Sequence, residues 1–156
     1  MKKHRKWIIL LTLFVVLPGL LFYTGCTPLT TVNDQAVQNL RKDLMGSTSS
    51  IKTVKVTTWG PWGEIDVYFS DKPPQEITDA VFERVKDFAL EDNLASFNQP
   101  GHLDLYLSIY TNGEKENPSI EYSSSYYNSN DMTDDSPSNV NGYKTWKTWT
   151  SPSPLN

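Results

Sequence analysis

The sequence predicts a two-layer α+β domain. We expect an antiparallel sheet of four to five strands, one main helix at about residues 74–92 on one face, and a short helix at about 33–45 preceding it. Three observations lead there. Several segments alternate apolar and polar residues with period two, the signature of strands with one buried face. One longer segment instead repeats its apolar residues with helical spacing. Gly, Pro and Asn cluster between the alternating segments, and strands joined by short turns favour antiparallel pairing under a covering helix.

From Asn33 to Met45, Val37, Leu40 and Leu44 recur at i, i+3, i+7, an amphipathic stripe closed by Gly46 and a Ser47–Ser50 linker. Ile51–Thr58 is rich in β-branched residues and reads as a strand, with Lys52 and Val54 on one face and Thr53, Lys55 and Thr57 on the other. Trp59-Gly60-Pro61-Trp62-Gly63 is a turn cluster. Beyond it Ile65, Val67 and Phe69 alternate with Glu64, Asp66 and Tyr68, which completes a hairpin. Pro73-Pro74 opens the main helix, where Ile77, Val81, Val85 and Phe88 form the apolar stripe. Leu103, Leu105, Leu107 and Ile109 then alternate with Asp104, Tyr106, Ser108 and Tyr110, the clearest strand in the chain. A loop containing Asn112-Gly113 leads to a strand over Ser119–Tyr127, with Ile120, Tyr122, Ser124 and Tyr126 on one face. Residues 128–141 are polar and acidic, a composition that predicts a mobile loop. Tyr143–Trp149 is a candidate last strand and 151–156 a tail.

The first 26 residues have a different character. Lys2, Lys3, Arg5 and Lys6 precede 17 uncharged residues, Trp7–Tyr23, and a basic flank before an apolar run places the rest of the chain outside the cytoplasm. Cys26, the sole cysteine, comes directly after the run behind Thr24 and Gly25, so no intramolecular disulfide exists to explain it. The basic start, apolar run and Thr24-Gly25-Cys26 resemble a bacterial lipoprotein signal over residues 1–26, with Tyr23 where such signals usually carry Leu. That resemblance implies a diacylglyceryl group on Cys26, removal of residues 1–25 and attachment to the cell membrane through acyl chains. An uncleaved signal anchor is the other reading, and it also tethers the chain. The expected organisation is a signal at 1–25, a lipid-anchored spacer with the short helix at 26–50, a domain at 51–150 and the tail.

All 18 acidic residues come after Cys26 but only 10 of the 14 basic ones do, so this part carries a net charge of −8. Such a domain repels phosphate backbones, which argues against a nucleic-acid partner. Its residue inventory also narrows the chemistry. His102 is the one histidine after Cys26, two positions from Asp104, and no serine stands in a nucleophile-elbow context. One histidine and one cysteine do not make a zinc site of usual composition. The acidic loop Asn128–Asp135 lacks the glycine and closing glutamate of an EF-hand order. We therefore expect no metal and no cofactor. Glu64 and Asp66 share a strand face and are the one candidate carboxylate pair.

Aromatic residues are the stronger signal. Five Trp and eight Tyr are many for this length, and exposed aromatics bind sugars or extended peptides. Candidate ligand-binding residues are Trp59, Trp62, Tyr126, Trp146 and Trp149, with ordinary core packing as the competing explanation. Trp146 and Trp149 are three apart, so on a regular strand they point to opposite faces. The sequence thus reads as a membrane-tethered, non-catalytic lipoprotein that binds a protein, a peptide or an envelope glycan. A cell-envelope hydrolase using carboxylates and an immunity-type surface protein are the alternatives.

Overall fold

The computed structural model describes residues 29–90, 93–97, 104–111 and 118–150. The expected signal segment, Cys26, His102 and the expected tail lie outside these residues. Within them the fold is α+β: six strands form one sheet in chain order, with two helices against one face.

Strand β1 (Thr30–Thr31) precedes helix α1 (Gln35–Ser47), and β2 (Ile51–Trp59) and β3 (Trp62–Phe69) come next. Helix α1 starts where Asp34 can cap it, the carboxylate accepting from the Val37 N–H at 2.8 Å. Such a cap is worth about 1 kcal/mol. Val37, Leu40 and Leu44 are buried along its inner face. β2 and β3 pair as the expected hairpin, with Trp59 opposite Trp62 and Gly60-Pro61 at the turn. Gly60 has φ 54°, a left-handed conformation that glycine adopts without a Cβ penalty. A bulge between Ile51 and Thr53 shifts the alternation. Ile51 therefore joins Val54 in the core, and Lys52, expected beside Val54, is exposed.

Two expectations about the sheet need correction. It is mixed, because β3 and β4 (Asp104–Tyr110) run parallel, with Ile65 opposite Leu107 and Val67 opposite Ile109. Helix α2 (Gln75–Leu90) and the 3₁₀ turn Asn93–Phe97 carry the chain between these strands, and a parallel neighbour requires such a crossover. All other pairs are antiparallel. The sheet also has six strands rather than four to five, since Thr30–Thr31 in the presumed spacer pairs with Thr58 and Thr57. β5 (Ile120–Ser125) and β6 (Lys147–Thr150) complete it. β6 begins later than the candidate strand because Gly142 and Tyr143, at φ 58° and 59°, turn the chain first.

The core lies between helices and sheet. Val54, Val56, Ile65, Val67, Phe69, Leu105, Leu107, Ile109 and Tyr122 meet Val37, Leu40 and Leu44 of α1 and Val81, Val85 and Phe88 of α2. The helices approach each other at the surface, where Arg84 and Asp43 form an exposed ion pair at 3.4 Å. A pair of this kind adds little stability.

The stretch 128–141, expected to be a mobile loop, is organised around Asn139. Its side-chain amide donates to the carbonyls of Asp131 and Asp134, both at 2.9 Å, and its oxygen accepts from Ser129 N–H at 2.9 Å. Asn139 is buried, and these bonds satisfy its whole hydrogen-bonding capacity save one lone pair. Thr133 donates twice to Asp131, through N–H and Oγ1, and lowers the carboxyl below its usual range. Tyr127 donates to Asp135 at 2.8 Å, which pushes its phenol up to about 12.

Candidate aromatic cleft on the open sheet face

Strand alternation sends every second residue away from the helices, and the register decides which of these become neighbours. Thr57, Glu64, Tyr106, Ser123 and Lys147 form one row across β2 to β6. Lys55, Asp66, Ser108, Glu121 and Trp149 form the next, and Trp59, Trp62, Asp104 and Ser125 lie on the hairpin side. Among the described residues no helix covers this face.

Its two ends differ. At the end away from the hairpin turn, Tyr68 and Tyr110 stack with centroids 4.8 Å apart and are buried. Tyr68 Oη donates to Asp66 at 3.2 Å, and Lys55 Nζ sits 4.9 Å above the Tyr68 ring. Burial, and then the Asp66 charge, hold the Tyr68 phenol well above the ordinary tyrosine range.

At the hairpin end the indoles of Trp59 and Trp62 lie 4.7 Å apart, tilted by 40°. Trp59 is 51% exposed and Trp62 36%. Beside them opens a cleft of about 320 Å³, lined by Leu29, Thr57, Glu64, Tyr106 and Glu121 together with the two indoles. Thr57 is only 8% exposed, and its hydroxyl has no hydrogen-bond partner among the described residues. The Tyr106 phenol is pushed up by burial first, then by the nearby charges of Asp104 and Glu121. Carboxylates thus approach the cleft from β3, β4 and β5.

No protein-family model, curated protein or solved structure matches this chain. Its function is therefore read from the geometry of the cleft.

The structure divides the sequence-predicted aromatics. Trp59 and Trp62 line the cleft, and Trp149 lies on the same face, 60% exposed, its indole N–H donating to Ser123 Oγ at 3.4 Å. Tyr126 and Trp146 belong to the other side, where both pack against the core. The Trp146 indole N–H donates to the Tyr143 carbonyl at 2.9 Å, and its ring meets Phe82 edge-on at 5.5 Å. Tyr126 packs against Tyr143. The carboxylate pair divides as well. Glu64 lines the cleft, whereas Asp66 is buried under Tyr68. Tyr106, Glu121, Thr57 and Leu29 are cleft residues that sequence alternation alone does not single out. Finding Tyr106 requires the parallel β3–β4 register, which brings it beside Glu64.

Among the described residues no three His, Cys, Asp or Glu side chains could hold a metal ion together. Nor is any helix among them long and apolar enough to cross a membrane. A second cavity of about 280 Å³ lies in the seam of the helices, beside the Arg84–Asp43 pair.

Proposed function

We propose that this chain is a lipoprotein, held on the outer side of the cell membrane through Cys26, whose domain binds a partner at the hairpin end of its open sheet face. The observation that carries the reading is the cleft between two exposed tryptophans and the sheet. Large exposed indoles cost solvation unless something covers them, and concave sites lined by aromatics with a few polar groups are the usual form of a binding site. The hydrolase alternative draws less support. The Glu64–Asp66 pair named by the sequence does not face one substrate, because Asp66 is buried in a hydrogen bond with Tyr68. Tether and cleft are also close in the chain. Two residues separate Cys26 from Leu29 at the cleft rim, a reach of at most about 11 Å, so a lipid on Cys26 keeps the cleft near the bilayer.

Intact mass and detergent partitioning of membrane-extracted protein, wild type beside Cys26→Ala, test the tether. We expect a chain beginning at Cys26 plus lipid, lost on substitution. An unshortened mass indifferent to the substitution contradicts the lipoprotein reading.

A further inference from the structure

The chemistry of the cleft defines its partner more narrowly. Resting on the binding reading above, we infer that the cleft takes a cationic side chain of a basic peptide segment, its ammonium or guanidinium seated between the Trp59–Trp62 indoles and the carboxylates of Glu64 and Glu121. Four observations converge on this occupant. Indole faces carry the negative side of a ring quadrupole and attract cations more strongly than other aromatic rings do. Glu64 and Glu121 line the same cleft from β3 and β5, and Asp104, paired with Trp62, adds a third acid at its edge. At the floor the Thr57 hydroxyl is more than nine-tenths buried and without a partner among the described residues, so it offers an acceptor to an N–H donor entering the cleft. The part of the chain after Cys26 carries a net charge of −8, which draws a basic partner in and repels an acidic one.

The dispersion of these acids decides between kinds of cation. Among the described residues no three of them converge to hold one ion, so a compact divalent metal lacks a ligand set. Carboxylates spread over three strands suit charges spaced along an extended chain, and an open sheet face gives such a chain room. An organic cation also uses the indoles, which a hydrated metal ion does not.

The test is a fluorescence titration of the full chain in a neutral polyoxyethylene detergent, with tetralysine amide and with chitotetraose as the uncharged probe. We expect tetralysine to change the tryptophan emission saturably, and chitotetraose to leave it unchanged. The Glu64→Gln/Glu121→Gln variant, which removes charge but keeps shape, should weaken tetralysine binding at least about tenfold and retain the wild-type melting temperature. Trp62→Ala should abolish the response. Equal binding of tetralysine by wild type and the double variant would mean general attraction to an acidic surface, and would overturn the inference. A response to chitotetraose with none to tetralysine would also overturn it, leaving a glycan-binding cleft and the broader binding reading intact. Silence from both probes would overturn the cationic assignment and remove the support for ligand binding at the tryptophans.

Discussion

The two faces of one sheet are built from the same strands to different ends. On the helix side Ile65, Val67, Leu105, Leu107 and Ile109 are at most 1% exposed and interlock with side chains from both helices. On the open side the hairpin end presents Trp59 and Trp62 to solvent among carboxylates, threonine and tyrosine, and Trp149 is exposed farther along the same face. Burial on the first face removes apolar area from water and stabilises the fold. The large apolar rings on the second are placed where they stabilise the fold least, and this contrast is why we assign them to binding. Even the open face is not uniform, for its far end is closed by the Tyr68–Tyr110 stack over Asp66.

The largest expected effect lies on the covered face. Leu107→Ala deletes a fully buried side chain at the centre of the sheet and should cost about 2–5 kcal/mol, read by chemical denaturation. A cost under about 1 kcal/mol would mean that the two faces differ less in packing than in burial. Next is Asn139→Ala, which leaves the Asp131 and Asp134 carbonyls and the Ser129 N–H without their partner. We expect about 1–3 kcal/mol from the same assay, and amide exchange quickened across 128–141.

Smaller still is Trp62→Ala. If its ring serves a ligand rather than the core, stability should fall by less than about 1 kcal/mol. Comparison with Trp146→Ala sharpens the point, since Trp146 packs on Phe82 and should cost distinctly more. The smallest effect is electrostatic. The Tyr127 phenol is raised to about 12, so the stabilisation from its bond to Asp135 is complete below the ordinary tyrosine value and is lost as pH rises through about 12. An ultraviolet phenolate titration should lose one late-titrating group in Tyr127→Phe, and loss of a group from the ordinary tyrosine range instead would place that hydrogen bond in error.

The α+β class is legible in the sequence because alternation and helical period are local properties. Val54, Val56, Ile65 and Val67 mark a buried strand face, and Val81, Val85 and Phe88 the helix that covers it. The parallel β3–β4 pair is not legible, since strand direction depends on where a crossover deposits the chain and not on any residue of either strand. The same limit hides half of the cleft. Trp59 and Trp62 stand out by type, but Tyr106 and Glu121 become cleft residues only through register. Trp146 and Tyr126 show the converse, packing on the core side, because an aromatic's type does not say which face it occupies. In the polar loop, composition points to mobility, while the network depends on one asparagine reaching partners five, eight and ten positions away.

The most direct test of binding at the open face is site-specific photocrosslinking in living cells, with p-benzoylphenylalanine in place of Trp62 on that face and of Lys42, exposed on α1. We predict one discrete adduct from position 62, reduced by Glu64→Gln/Glu121→Gln, and none from position 42. No adduct at position 62, or the same adduct from both positions, would contradict a binding role for the cleft.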